Sequence, residues 1–262
     1  MSRTAGPSVR ANCSMPTTVG AAYFVVRPPL AAHAGKNGRS EPVGTVAIVC
    51  TDVQGAMRLW ENDAAVMQRA FAEHHRVLRR TISRFGGYEA TTEADSFMVV
   101  FSDPVAAIRM CIAAQSELRA GNWPTELSSQ PDAATVYAPG GRRISRGLRV
   151  RVGVHVGEPR AIRNPTTARL EYLGPTVNRA SCIAQLGHGG EILVSQDLWL
   201  ATNGRSSAEP RRIGQVRLRG TGTLTDLIQV SAAGGPRPSF PPPRAEHLVH
   251  EALAICELAA PG

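Results

Sequence analysis

Two aspartates lie next to predicted buried strands, a position from which a rigid scaffold presents a carboxylate. Asp95 is in the turn between residues 88–92 and 96–101, two runs rich in the β-branched and aromatic side chains typical of strands. Asp52 follows the apolar strand predicted for residues 45–50. In proteins, Mg²⁺ takes one or two carboxylates and leaves its other positions to water and phosphate oxygens. Asp52 and Asp95 can therefore share two metal ions, Mg²⁺ as the first choice and Mn²⁺ as the second. Taken singly, Asp52 is better explained as a helix or turn cap and Asp95 as an ordinary residue of a hairpin turn.

The elements that position these aspartates alternate between strands and helices. Apolar residues at helical spacing predict a helix over residues 58–85. A second helix is predicted over residues 104–119, with Asp103 as its N-cap. The further predicted elements are a strand at 148–156, a helix from 174 to 187–190, a strand at 191–195, a short helix at 196–202 and a closing hairpin of residues 216–219 and 224–230. This order predicts an α+β, ferredoxin-like (βαββαβ) fold with helices on one face of the sheet.

Three regions fall outside this pattern. Residues 121–147 are polar and rich in Pro, Gly and Ser, and are predicted to be an arm inserted outside the core. Residues 1–42 are predicted to be a disordered tail, with an organelle transit peptide as the alternative, because no acidic residue precedes Glu41. Residues 233–262 are predicted to be a Pro-rich linker followed by a short helix over residues 245–259. The folded domain is thus predicted to span residues 43–232.

The composition argues against several functional classes. The net charge of +8 comes almost wholly from arginine, because Lys36 is the only lysine, and the arginines form no basic stripe with aromatic residues. Nucleic acid is therefore not expected as a partner. The five cysteines have no metal-ligand spacing and are predicted to be reduced thiols, which favours a cytoplasmic location. No apolar run reaches the ~20 residues that cross a bilayer.

Five segments of the chain follow one another in a recognisable order and spacing. They are AIVCTDVQGAMRLWE, GGYEATTEADSFMVVF, NWPTELSSQPD, GLRVRVGVHVGEP and RLEYLGPTVNRASCIAQLGHGGEILVS. Together they resemble the catalytic domain of class III nucleotidyl cyclases, specifically the fungal-type adenylate cyclases, over residues 45 to about 230. The resemblance implies a phosphorus–oxygen lyase that forms cyclic AMP and pyrophosphate from ATP in cyclic-nucleotide signalling. It also implies a site at the interface of two cyclase domains.

The resemblance assigns the metal side of that site to the two aspartates. It implies that Asp52 and Asp95 bind the two metal ions and that the Val53 carbonyl is a further ligand. The residues predicted to cradle phosphate through backbone N–H groups at a helix start are Gln54, Gly55, Ala56 and Met57. Ala94 stands where the family has Gly in the metal hairpin. That change is expected to cost roughly 1 kcal/mol or more only if Ala94 adopts a positive φ.

The resemblance assigns the partner side of the site to a second set of residues, and most of them depart from the family pattern. Asn178 matches the Asn that orients the ribose. Glu171 stands where the family has the Asp that binds the adenine amino group, and Thr91 stands where adenylate cyclases have the Lys that reads adenine. Cys182 replaces the Arg that stabilises the transition state. A thiol carries no positive charge, and removing one such donor typically lowers the rate by roughly 10²–10³.

These departures leave three functions open. The first is a homodimeric adenylate cyclase, in which Arg179, one helical turn from Cys182, is a less favoured substitute for the missing Arg. The second is the metal-side half of a heterodimeric cyclase. The third is a catalytically silent nucleotide-binding or dimerisation module. A histidine metal site is set aside, because His74 and His75 are adjacent on a helix rather than four residues apart.

Overall fold

The computed structural model describes residues 41–137, 141, 143–218, 224–234 and 239–244. The predicted tail up to residue 40 and the predicted helix over residues 245–259 lie outside the described residues. None of the helices that the described residues form is long and apolar enough to cross a membrane. The boundaries proposed for the domain, at residues 43 and 232, stay predictions.

In chain order, the strands are β1 (Val46–Val53), β2 (Tyr88–Glu93), β3 (Ser96–Phe101), β4 (Val136–Tyr137), β5 (Arg143–Ser145), β6 (Val150–Gly157), β7 (Arg160–Arg163), β8 (Leu170–Leu173), β9 (Ile192–Ser195), β10 (Glu209–Arg217) and β11 (Leu224–Ser231). The α-helices are α1 (Ala56–Asn62), α2 (Ala64–Phe85), α3 (Pro104–Ala120), α4 (Pro175–Leu186) and α5 (Gln196–Ala201). A 3-10 helix spans Thr125–Ser129.

A seven-stranded sheet with the order β10-β11-β9-β6-β1-β3-β2 forms the centre of the domain. β1 lies between β3 and β6 and is antiparallel to both, whereas β6 and β9 are parallel. Two further two-stranded sheets, β4-β5 and β7-β8, lie outside this sheet. The α+β, ferredoxin-like prediction is confirmed, as are the hairpin that carries Asp95 and the closing hairpin β10-β11.

Both faces of the sheet are covered, so the prediction of helices on one face is wrong. On one face, Ala47 and Val49 of β1 belong to a buried cluster with residues of α2 and α3. On the other face, Val46 and Ile48 pack with Ala180 of α4 and with residues of β8. Successive side chains of a strand point to opposite faces, and here both sets are apolar. A strand of this kind is stable only when each face is shielded from water.

Two further predictions need correction. The helix predicted over residues 58–85 is two helices, α1 and α2, because Asp63 is extended (φ −159°, ψ 96°) and its side chain accepts a hydrogen bond from the Val66 N–H as the N-cap of α2. The region 121–147 is not wholly an arm outside the core. Its first part contributes Trp123, Leu127 and Ala133 to the main buried cluster. Three apolar side chains in a polar stretch suffice to draw that part onto the domain.

Candidate active site

Asp52 and Asp95 meet at one edge of the central sheet. In the antiparallel register of β1 and β3, Thr51 is opposite Phe97. Asp52 is the next residue of β1, and Asp95 is in the two-residue turn just before β3, so both carboxyl groups lie at the same end of the strand pair. Asp95 lies near enough to Asp52 to raise the pKa of the Asp52 carboxyl. That these two carboxyl groups share one pair of metal ions stays a prediction.

The electrostatics of this pair fit a divalent cation. Burial, with a smaller contribution from the neighbouring Asp95, raises the pKa of the Asp52 carboxyl to about 6 against the opposing effect of the Arg151 guanidinium. The folded chain therefore places two carboxyl groups where the second negative charge is unfavourable. A hard cation relieves that repulsion and prefers oxygen ligands, so the residues present fit Mg²⁺.

Arg151 is a member of the site that the sequence reasoning missed. It lies on β6 directly opposite Asp52, and its Nη2 donates to Asp52 Oδ2. Its Nη1 donates to the Gln185 carbonyl at 3.3 Å, and its Nε is buried without a hydrogen-bond partner. The sequence did contain a signal for this position. Successive side chains of a strand point to opposite faces, so Arg151, between Val150 and Val152, must point to the face opposite those valines.

His75 supports the hairpin that carries Asp95. The carbonyl oxygen of Ala94 lies 2.9 Å from His75 Nε2, which donates to it. Ala94 has φ 47°, in the left-handed region that disfavours a residue with a Cβ. The condition stated for the Gly-to-Ala change is therefore met, and the turn that presents Asp95 is strained. His75 contributes to this site through a hydrogen bond to the turn.

The turn predicted to bind phosphate has one N–H group already engaged. The Gln54 N–H donates to the Arg149 carbonyl at 2.8 Å. The N–H groups of Gly55, Ala56 and Met57 are thus the donors that remain for phosphate. Gly55 has φ 72°, and a Cβ there would lie 2.6 Å from Cγ of Asp132, so no other residue fits without rearrangement.

The three residues predicted to serve a partner's nucleotide are at the surface. Asn178 is exposed on α4, while Glu171 on β8 and Thr91 on β2 are partly exposed. Glu171 accepts a hydrogen bond from Asn164 Nδ2 at 2.5 Å. Within the described part of the chain, no side-chain hydrogen bond joins Asn178, Glu171 or Thr91 to Asp52 or Asp95. The fold places Asp52 and Asp95 at one end of the β1–β3 pair and leaves Asn178, Glu171 and Thr91 wholly or partly exposed.

The surroundings of Cys182 contain a second thiol. Burial raises the pKa of Cys50 on β1 to about 12, and nearby Cys182 raises it as well. Arg179 lines a different cavity, of about 120 Å³, together with His155, Asp197 and other residues. Its positive charge contributes to lowering the pKa of His155, after the larger effect of burial. Arg179 thus lies beside residues that belong to no part of the predicted site.

Comparison with known proteins places the domain in a family. The family model described as the adenylate and guanylate cyclase catalytic domain matches residues 39–229. The adenylate cyclase of Neurospora crassa is 42% identical over 156 residues, which are 60% of this chain and 7% of that protein. The adenylate cyclase of Podospora anserina is 40% identical over 192 residues, 73% of this chain and 9% of that protein. The chain therefore spans less than a tenth of the length of these relatives.

A solved structure supports the same placement. An adenylate cyclase from Trypanosoma brucei, studied in its monomeric state, superposes with a TM-score of 0.71 and 26% identity, covering 80% of this chain and 97% of that one. The sequence resemblance to class III cyclases, and to fungal adenylate cyclases among them, is confirmed. The chain belongs to the adenylate and guanylate cyclase catalytic domain family.

Proposed function

We propose that this chain is a class III cyclase domain that forms cyclic AMP and pyrophosphate from ATP at the interface between two cyclase domains, in cyclic-nucleotide signalling. The observation that carries the proposal is that Asp52 and Asp95 lie side by side at one end of the β1–β3 pair, together with the raised pKa of Asp52. Two carboxyl groups side by side at one end of a sheet are unfavourable for a purely structural role, because Asp95 disfavours the ionised form of Asp52.

The reaction joins two atoms of one substrate. The ribose 3′-hydroxyl loses its proton to water, its oxygen bonds to the α-phosphorus, and the bond from the α-phosphorus to the bridging oxygen breaks to release pyrophosphate with its electron pair. Two Mg²⁺ ions held by Asp52, Asp95 and the Val53 carbonyl would supply activation of the 3′-oxygen and neutralise charge on the leaving group. Mn²⁺ has the same ligand preference.

The chain's own residues would bind and orient the triphosphate. Asp52 must be ionised to serve as a ligand, and its contact with the Arg151 guanidinium favours that state. Once Asp52 is neutralised by a cation, the Arg151 guanidinium is free to donate to phosphoryl oxygens, for which its planar fork is well suited. The N–H groups of Gly55, Ala56 and Met57 are proposed to be further donors on the same substrate group.

The partner side of the site is proposed to act on a nucleotide held by another domain. Asn178 is exposed on α4, so it can reach a substrate that approaches from outside the chain. It would orient the ribose, and Glu171 and Thr91 would contact the base. An intact site then needs two domains, either two copies of this chain or this chain with a different cyclase domain.

Cys182 favours a second candidate function. Its neighbour on β1 is Cys50, and the nearest arginine on α4, Arg179, lines another cavity. The metal side of the chain is complete while its partner side lacks the transition-state cation. A heterodimer, in which this chain supplies the metal side and another domain supplies the arginine, fits that division. A silent nucleotide-binding or dimerisation module is the remaining alternative.

The test measures cyclic AMP formed from Mg²⁺ and ATP by the full chain, alone and mixed with a cyclase domain that carries the intact Lys, Asp, Asn and Arg but lacks its own two metal-binding aspartates. Asp95→Asn should abolish product in either setting, because it removes one ligand charge with little change of shape. The matched control is Glu93→Gln, which neutralises an exposed carboxylate in the same hairpin.

Each outcome separates the candidates. Product from the chain alone supports the homodimer, and product only in the mixture supports the heterodimer half. Binding of an ATP analogue without product in either setting supports the silent module. If Asp95→Asn retains the activity of Glu93→Gln, the metal assignment is wrong.

A further inference from the structure

A short segment beyond the last strand is packed against the turn that follows α4. We propose that residues 239–244 are a strap that positions Gln54, and through it the phosphate-binding turn of residues 54–57. The inference rests on the function proposed above, in which that turn binds the triphosphate.

Three contacts attach the strap to the end of α4. The Phe240 ring stacks on the His188 imidazole, with ring centroids 6.4 Å apart and planes 4° from parallel. His188 Nε2 donates to the Pro242 carbonyl at 3.0 Å. The Arg244 N–H donates to the Leu186 carbonyl at 2.9 Å, which satisfies a carbonyl in the last turn of the helix. The strap therefore contacts the turn after α4 through one aromatic pair and one hydrogen bond, and contacts the last residue of α4 through a second hydrogen bond.

The turn held by the strap is itself internally braced. The Glu191 carboxylate accepts a hydrogen bond from the His188 N–H at 2.9 Å, and the His188 carbonyl accepts one from the Glu191 N–H at 2.9 Å. Glu191 is only 2% exposed. A Cβ on Gly189 would lie 2.3 Å from Cβ of Arg149, so the turn touches the residue just before β6 without a gap. A close-packed junction of this kind passes a displacement on to its neighbours.

The turn reaches the phosphate-binding residues through one hydrogen bond. The Gly189 N–H donates to Gln54 Oε1 at 2.8 Å. At its other end, the Gln54 N–H donates to the Arg149 carbonyl at 2.8 Å. Gln54 is thus fixed on both sides to the same junction of Arg149 and Gly189. The Gln54 side chain faces the turn after α4 and not the phosphate-binding turn. Gln54 is therefore a positioning residue that acts through the orientation of Gly55, Ala56 and Met57.

Hydrogen exchange in the nucleotide-free full chain tests the strap directly. Phe240→Ala removes the ring stacked on His188, and the matched control Leu200→Ala removes an exposed apolar side chain on α5. Losing an aromatic contact or weakening a hydrogen bond changes the equilibrium for local opening by a small factor. We therefore expect hydrogen exchange in peptides covering residues 54–57 and 187–190 to accelerate roughly 2- to 10-fold. Phe240→Tyr should restore protection, and exchange in α2 should not change. Unaltered exchange at residues 54–57 in Phe240→Ala would overturn the proposal.

Equilibrium binding of Mg²⁺ with a non-hydrolysable ATP analogue tests the consequence for the site. Phe240→Ala and Gln54→Ala should each weaken binding, Phe240→Ala by roughly 2- to 10-fold. The double variant should bind no more weakly than Gln54→Ala, because both changes act through the same hydrogen bond. Losses that simply add would refute the route through Gln54. If the wild-type chain binds no nucleotide, either alone or mixed with the intact cyclase domain, the function proposed above fails, while the exchange measurement still decides the strap.

Discussion

Ala94 offers a prediction that depends on one backbone angle. Ala94 has φ 47° in the turn before Asp95, where a residue with a Cβ costs roughly 1–2 kcal/mol relative to a right-handed conformation. Replacing it by Gly removes that cost, but enlarges the conformational freedom of the unfolded chain by about 0.4–1 kcal/mol. The difference predicts that Ala94→Gly stabilises the fold by roughly 0.5–1 kcal/mol.

Two matched variants separate the turn effect from the general effect of glycine. Ala168 also has a positive φ, 55°, in the turn between β7 and β8, so Ala168→Gly should stabilise by a similar amount. Ala161 is exposed in the strand β7 and is not among the residues with positive φ. Ala161→Gly should lower the free energy of unfolding by roughly 0.5–1 kcal/mol. At this position glycine relieves no backbone strain, and it loses more conformational entropy on folding than alanine does.

The assay is urea unfolding of the four proteins at one pH, with the midpoint concentration as the readout. With an m-value of roughly 2–3 kcal/mol/M, Ala94→Gly should raise the midpoint by roughly 0.2–0.5 M. Thermal unfolding gives an independent value, an increase of about 1–4 °C for a domain of this size. A midpoint for Ala94→Gly that falls as far as that of Ala161→Gly would refute the strained-turn argument.

Three further predictions concern the site. Calorimetry at pH 5.5, 6.5 and 7.5 should show Mg²⁺–nucleotide binding weakening as the pH falls through about 6, because the raised pKa of Asp52 lets a proton compete with the cation; a flat profile would contradict that pKa. Because the pKa of Asp52 is higher in the folded than in the unfolded chain, the protonated carboxyl favours folding. The free energy of unfolding of the wild type should therefore decrease relative to that of Asp52→Asn as the pH rises from about 4 to about 6, as urea midpoints would show. In a homodimer, Cys182→Arg should raise turnover by up to roughly 10²–10³, and adding Thr91→Lys should favour ATP over GTP in a competition assay, because an ammonium can donate to an adenine ring nitrogen. A wild type as fast as the double variant would mean that another arginine already fills the role.

The features predicted correctly from the sequence are those that local patterns determine. β1, β3 and the hairpin that carries Asp95 follow from short apolar runs and a turn, and α3 follows from Asp103 as N-cap with Pro104 after it. Asp52 and Asp95 meet because both occupy the ends of neighbouring antiparallel strands. The inference that these two strands are adjacent in the sheet came from the family resemblance as much as from the strand patterns, because strand order is not determined locally.

The features that the sequence reasoning missed depend on contacts between distant residues. Arg151 and Asp52 are 99 residues apart, and their pairing requires the register of β6 on β1, which no local signal sets. The placement of α4 on the second face is non-local in the same way. The break at Asp63, by contrast, could have been predicted locally. A capping side chain inside a helical pattern competes with the helix backbone for hydrogen bonds, and this signal was overlooked.

The two aspartates sit on parts of the sheet that differ in how easily they open. β1 is an inner strand with partners on both sides, so exposing Asp52 to a different environment requires disruption of the central sheet. Asp95 belongs to the outermost hairpin, whose strand β2 has a single neighbour and a register shift between Glu89 and Thr91. Edge elements of this kind open with a smaller free energy than the core. Metal affinity in this chain should therefore follow the population of the closed hairpin, and a cation that bridges the two carboxylates would slow the local opening of β2 and β3 long before it affected global unfolding.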